Sequence, residues 1–595
     1  MELQHSNIQA LLGWAKENGA LIDPILEFKY KEGRGVYGIA NRTLDVPSTS
    51  PQIKIPQNLI IKDDLAISHF GKLEGISVNG AIKLLVAKLK YSNGQVWANG
   101  TDLKSFFAPY INLLPQGKET NSVFFWNEEE LKILENTNLG GALDDKLNAI
   151  FDEWLSLLKS LPSKFHDEEY KQDLEFANTF KGLKRSEFLE YLSMTTHSWT
   201  SFASFLWSTI IFTSRAFPHN IIDSKCQPGQ AILLPLIDLL NHDNQTKVEW
   251  KYETVQTKGY FSLNNKDILK EGDEVLNNYG AKGNEELLLG YGFAIENNKN
   301  DSIALRVKLP LEKINSLYQN GVKIPRIEDY TQFAFDSSHQ SDTSGPTEQD
   351  IQNGLLYFVN KSSLIPENLL QLFSFLNRNE TENSFTLRSR LEALQQLRSA
   401  LDRKKVLLND FHVLDQTKAD SKLIAFGDIY RQGQSEIYKL SISEIKKTEK
   451  DLLNQYKSKI QTLKKIYKRD EQLQELLSDN FCWNRYDIIE QEDFVDATLF
   501  IWIILHVFLA SKDNYELPNF ITITFKSLSL NKQLQVNEQF NDLAEYLLGI
   551  FKDHEIEQYL TAKNLTLASE TIRLNSYTRP STNEIIIVEP LSLLR

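Results

Sequence analysis

The stretch NNYGAKGNEELLLGYGF, Asn277–Phe293, sets a tyrosine, Tyr279, after a short strand-like run and before a Gly-bounded helical turn. That turn ends on a second tyrosine, Tyr291. Upstream lies LLPLIDLLNHDNQTKVEW, in which Asn241 and His242 follow an apolar run. The order and spacing of these polar residues carry the functional reading, because each residue alone has an ordinary structural explanation. Tyr279 by itself reads as a surface tyrosine in a turn, and Asn241 as a cap on an element's end.

Strand signals flank both segments. ILEFKY (Ile25–Tyr30), GVYGIA (Gly35–Ala40) and QIKIP (Gln52–Pro56) alternate apolar and polar positions between turn residues. Strand texture returns at Ala231–Ile237, Lys247–Tyr252, Gly259–Leu263, Glu274–Asn278 and Ser302–Pro310. Between the two sets, from Asp64 to Phe217, the pattern is helical. It ends in SFASFLWSTIIFTSRAF (Ser201–Phe217), apolar on most faces and expected as a buried helix. Beyond residue 310 leucines and isoleucines recur at three- and four-residue spacing. They give amphipathic helices over Leu387–Leu401 and from Ile442 to Leu463. The polar run Asp336–Asp350 reads as a surface loop.

The 595 residues suffice for two or more domains with separate cores. Two cysteines, Cys226 and Cys482, provide neither a disulfide framework nor a Cys-rich zinc site. The opening MELQHSNIQALLGWAKENGA lacks the regions of a signal peptide and reads as a helix burying Ile8, Leu11, Leu12 and Trp14. The most apolar run, Ala497–Ala510, is too short to span a bilayer and is expected as a buried helix. These features point to a cytoplasmic protein without membrane contacts, monomeric by default. A net charge of −14 argues against direct nucleic-acid binding and suits a basic protein substrate, although it also serves solubility.

GRGVYG, Gly33–Gly38, matches a dinucleotide fingerprint letter for letter, but strand and turn follow it where a helix is required. A strand turn of this kind still allows backbone N–H groups to approach an anion or a cofactor. The ten histidines form no close metal-ligand pair, and neither a Walker A nor a G-x-S-x-G sequence is present. SRAF, Ser214–Phe217, closes the buried helix, where an arginine ordinarily satisfies the last carbonyls.

In sequence order, GRGVYGIANRTL, SRAF, LIDLLNHD and NNYGAKGNEELLLGYGF resemble the SET-domain branch typified by the plant Rubisco large-subunit lysine methyltransferase. The resemblance implies an α+β fold: a SET catalytic domain of short strands over residues 1–305 with a helical insertion at about 64–217. A helical C-terminal substrate-binding domain would occupy 306–595. It implies S-adenosylmethionine as cofactor, with its methionine portion held by Arg215 and the backbone around Arg34 and Gly35. Asn241 and His242 would hold the adenine and amino-acid ends. Tyr279 would be the catalytic tyrosine beside the cofactor, and Tyr291 with Ser214 would line the substrate lysine channel. The Tyr279–Tyr291 segment is one residue shorter than in the plant enzyme. Likeness to fungal ribosomal members of the branch, extending to SYTRPSTNEIIIVE near the C-terminus, implies a large-subunit ribosomal protein as substrate. Two alternatives stay open: an elongation-factor lysine or protein-histidine methyltransferase of the same fold, and a non-catalytic SET-fold binding protein. In SET proteins the Asn-His and tyrosine segments meet through a threaded arrangement, a topology that periodicity alone would not suggest.

Overall fold

The computed structural model describes residues 2–179, 184–194, 198–325, 354–412, 414–509, 515–531 and 533–592. The run Asp336–Asp350 lies outside the described residues. The chain divides into two compact units. The first holds Met1–Ala304 and Val406–Ile437, and the second Leu305–Pro325, 354–405 and Tyr438–Arg595.

In the first unit Leu26–Lys31 and Gly35–Ala40 form an antiparallel hairpin, and Glu274–Val275 pairs against the Gly35–Ala40 strand. Gly35 has φ +79°, a conformation that side chains with a Cβ rarely adopt, so the tight turn requires glycine there. A second antiparallel sheet orders Leu21–Ile22, Ile53–Pro56, Lys258–Asn265 and Val248–Val255. Ala216–Pro218 and Ala231–Leu233 make a third, two-stranded sheet. The alternating pattern thus folds as strands, though several are shorter than their apolar runs. Ala231–Ile237 pairs only to Leu233, because Leu236 takes φ +76° and turns the chain.

Among the described residues, the region from Asp63 to Arg215 is a set of helices broken by one short hairpin at 97–102. Asn138–Ser160 starts where the Thr137 side chain accepts from the Gly140 N–H at 3.0 Å. Leu139, Leu143, Leu147, Phe151 and Trp154 then recur on one buried face. The Trp154 indole donates to the Thr200 carbonyl at 2.8 Å, one residue before Ser201 caps the buried helix Phe202–Arg215. The residues 406–437 join this unit through specific ties. Tyr430 donates to Glu285 at 2.8 Å, and Arg431 donates to the carbonyls of Ile133 and Glu135.

The second unit is mainly helical. Leu387, Leu391, Leu394, Leu397 and Leu401 are all buried on Leu387–Asn409, as their spacing requires. Val495–Phe508 buries every residue from Ala497 to Leu505, which explains its unbroken apolar run. Among the described residues no helix is long and apolar enough to cross a membrane. The periodic run from Ile442 to Leu463 departs from one continuous helix. The helix Ser421–Gln455 ends, and Ile460–Thr462 becomes a strand on Glu584–Val588, which also pairs with Ser576–Arg579. The β-branched residues of EIIIV and IQT pair across the unit, and that pairing overrides the local helical period.

Candidate active site

The helix Phe202–Arg215 delivers Ser214 and Arg215 to one wall of a small cavity of about 40 Å³. Ala216, Phe217 and Pro218 continue that wall, and Asp238, Trp250, Tyr279 and Tyr291 complete the lining. Four of the residues singled out in the sequence therefore meet at one cavity: Ser214, Arg215, Tyr279 and Tyr291. His242 touches it through Tyr279. Its ring stacks on the Tyr279 ring with centroids 4.9 Å apart, and the Tyr279 ring also stacks with Tyr291 at 5.1 Å.

Backbone pairing brings the two key segments together. Asn277 donates its N–H to the Asn241 carbonyl at 2.7 Å and accepts from Asp243 at 3.0 Å. His242 and Asn277 thus form a parallel bridge. The His242 Nδ1 accepts from the Tyr279 N–H at 3.0 Å, which fixes the proton of a neutral imidazole on Nε2. That Nε2 is buried and has no hydrogen-bond partner. Burial, with Lys282 adding to it against Asp243, lowers the His242 pKa to about 4.

Tyr279 donates its hydroxyl to the Leu240 carbonyl at 2.8 Å. Burial raises its pKa well above the ordinary tyrosine value, and Asp238 adds to this while Arg215 opposes it. Burial raises Tyr291 in the same way. Both rings are therefore neutral phenols at physiological pH. Tyr291 ends the helix Asn284–Tyr291, which terminates at Gly292 in the left-handed conformation, φ +75°. A Cβ on Gly292 would stand 2.4 Å from the Thr120 carbonyl oxygen, so this close approach also requires glycine.

Two of the lining residues, Arg215 and Asp238, form a triad with the buried Tyr110. Arg215 donates to the Asp238 carbonyl at 2.9 Å and to its Oδ2 at 3.2 Å, and Tyr110 donates to the same Oδ2 at 2.8 Å. Burial opposes the charge on Arg215, but the Asp238 carboxylate outweighs it and keeps the guanidinium charged. The Asp238 Oδ1 has no partner. Ser214 turns its hydroxyl back onto its own helix, donating to the Ile210 carbonyl at 2.8 Å.

Arg34 and Asn241 meet elsewhere, on a residue that the sequence reading passed over. Glu274 accepts from the Arg34 guanidinium and, at 2.7 Å, from the Asn241 amide. Asp238, Tyr110, Trp250 and Glu274 were all missed. Asp238 left one signal: a carboxylate inside the apolar run LLPLIDLL must find buried partners. Tyr110 is 128 positions from Asp238, and nothing local announces that contact.

Comparisons with known proteins bear on the whole chain. A family model described as the EFM1 middle domain matches residues 302–456. Ribosomal lysine N-methyltransferase 1 of Saccharomyces cerevisiae is 33% identical over 85% of this chain and 87% of its own length. Protein-lysine N-methyltransferase EFM1 of the same yeast is 28% identical over 89% of this chain and 87% of its own length. Among solved structures, Rubisco LSMT bound to AdoMet superposes with a TM-score of 0.53 at 17% identity, covering 82% of this chain and 99% of that one. The fold is the SET fold with a helical C-terminal region. The chain belongs to the SET-domain, S-adenosylmethionine-dependent protein-lysine N-methyltransferases.

Proposed function

We propose that the cavity lined by Tyr279 and Tyr291 receives a lysine side chain of a large-subunit ribosomal protein and that its Nζ is methylated there. The observation that carries this reading is the pair of neutral phenols stacked at 5.1 Å on a small cavity that Phe217 and Trp250 also line. Likeness across most of the chain to an enzyme named for a ribosomal substrate supports the choice of target. A ribosomal substrate also makes the cytoplasm the working compartment.

The donor set suits S-adenosylmethionine. The unpartnered, buried Nε2 of His242 can donate to an acceptor, while Arg34, Asn241 and Glu274 offer groups of both signs to a zwitterionic amino-acid end. When bound, the cofactor supplies a methyl group on a sulfonium sulfur. In this reading Arg34, the Gly35 backbone, Arg215, Asn241 and His242 hold it. Ser214 and Tyr291 line the lysine channel, and Tyr279 is the catalytic residue.

A lysine amine has a pKa of about 10.4 in water and must be neutral to attack. Phe217, Trp250 and the two tyrosines surround it with apolar surface, which disfavours the ammonium form. The Tyr279 proton is engaged with Leu240, so its oxygen lone pairs can accept from an amine N–H. That contact would aim the nitrogen lone pair and restrict the amine to an in-line approach. Its raised pKa makes Tyr279 an orienting phenol and not a base.

The test incubates purified protein and labelled S-adenosylmethionine with ribosomal subunits from cells lacking the enzyme, followed by mass spectrometry. Label on one lysine of a large-subunit protein, absent with Tyr279→Phe, supports the reading. Label confined to a soluble elongation factor supports a second reading with the same chemistry. Likeness over 89% of this chain to a second protein-lysine methyltransferase, EFM1, supports the chemistry that both readings share.

A further inference from the structure

We propose that Glu274 is a cofactor-binding residue that takes the α-ammonium of S-adenosylmethionine and holds Arg34 and Asn241 ready for its carboxylate. The proposal rests on the reading of this region as the cofactor pocket. Glu274 opens the short strand Glu274–Val275, paired with Ile39 and Gly38 of the glycine-turn hairpin. Backbone bonds from Ala40 to the Asp273 carbonyl and from Gly272 to the Ala40 carbonyl fix the chain just before it. Val275, the next residue, is wholly buried, and the alternation of a strand turns Glu274 to the opposite side. Its side chain is only 15% exposed, against 48% for Arg34.

One carboxylate thus joins three separated segments: Arg34 from the hairpin turn, Asn241 from the segment after the buried run, and its own strand. Two of its acceptor sites are used, one on each oxygen, and an ionised carboxylate offers about four. An amino-acid end brings a carboxylate and an ammonium. Arg34 is a donor only, and the Asn241 amide N–H faces Glu274, so the two suit the carboxylate. Glu274 supplies the acceptor that the ammonium needs. Charge points the same way. Arg34 and the ligand's ammonium are both cationic, and the Glu274 carboxylate beside Arg34 offsets their repulsion.

Calorimetric titration distinguishes this role from a purely structural one. Two probes are used: S-adenosylhomocysteine, which keeps the amino-acid end, and 5′-methylthioadenosine, which lacks it. Glu274→Gln is expected to weaken S-adenosylhomocysteine about tenfold or more, the loss of one charge-assisted hydrogen bond. Methylthioadenosine should bind within about twofold of the wild type. Should Glu274→Gln fail to fold, Glu274→Asp carries the test, because it withdraws the carboxylate by one methylene and should weaken the first probe alone. Equal losses for both probes, or no loss for either, overturn the proposal. If the wild type binds neither probe, or Asn241→Ala leaves S-adenosylhomocysteine affinity unchanged, the parent reading of the pocket fails and Glu274 falls with it.

Discussion

The Tyr279 hydroxyl donates to the Leu240 carbonyl at 2.8 Å, the residue directly before Asn241. The phenol is therefore held by the same segment that pairs with Asn277, and its orientation does not depend on a substrate. Tyr279→Phe should still fold, losing about 0.5–1.5 kcal/mol with the hydrogen bond to Leu240, and lose activity by about 10²–10⁴-fold, the range for a positioned polar group. Single-turnover rates on the proposed ribosomal substrate measure this. Turnover within a few-fold of wild type would remove Tyr279 from the chemistry.

Tyr110 belongs to the helical insertion, yet it satisfies a carboxylate that lines the cavity. Tyr110→Phe removes one of the donors to the Asp238 Oδ2 and leaves a fully buried carboxylate with the Arg215 guanidinium. Unfolding in urea should show a loss of about 1–3 kcal/mol, the usual cost of stripping a partner from a buried acceptor. A change below about 0.5 kcal/mol would mean that the hydroxyl does not make this bond in solution.

Two buried groups respond to acid with opposite sign. His242 titrates at about 4 in the folded protein and at about 6.5 when unfolded. The unfolded chain then binds more protons between those values, so the stability from His242 is present above about 6.5 and is lost as pH falls toward 4. Burial raises Asp301 to about 6, against about 3.9 unfolded, and its contribution grows as pH falls through 6. His242→Gln should therefore turn the melting temperature upward on acidification from pH 6.5 to 4.5, relative to wild type. Parallel curves for the two proteins would contradict the burial of the neutral imidazole.

At Gly292 geometry makes a sharper demand. Gly292→Ala places a Cβ 2.4 Å from the Thr120 oxygen in a left-handed conformation. We expect a loss well above the roughly 1 kcal/mol of an ordinary strained Ala substitution, with the Tyr291 end of the helix displaced. Melting temperature reads the first effect, and affinity for a lysine peptide the second. An alanine variant as stable as wild type would show that the 117–121 segment yields.

What was legible in the sequence follows from how local each signal is. The helix Phe202–Arg215, the Leu26–Ala40 hairpin and the wholly buried Val495–Phe508 are written in consecutive residues, so periodicity finds them. Tyr279, Tyr291, Ser214 and Arg215 were singled out by motif order, and the structure sets them round one cavity. The bridge from His242 to Asn277 came only from resemblance, since pairing between distant segments leaves no mark on either. Glu274 and Tyr110 were invisible for the same reason: their partners are set by topology. The small sheet of Ile460–Thr462, Ser576–Arg579 and Glu584–Val588 was lost because a three-residue strand after a long helix continues the helix's apolar period.

The pairing of Asn241–Asp243 with Asn277 also sets an order of events during synthesis. A ribosome making this chain releases Ser214, Arg215 and Asp238 well before Tyr279, and Gly292 later still. The nascent chain therefore carries an open half-pocket, with the partners of residues 241–243 still to come, until the segment through Gly292 emerges and docks on Thr120. The residues 406–437 arrive last, and Lys422 among them donates to the Gly33 carbonyl. Assembly of the first unit thus ends more than a hundred residues after its last cavity residue, Tyr291, has been translated.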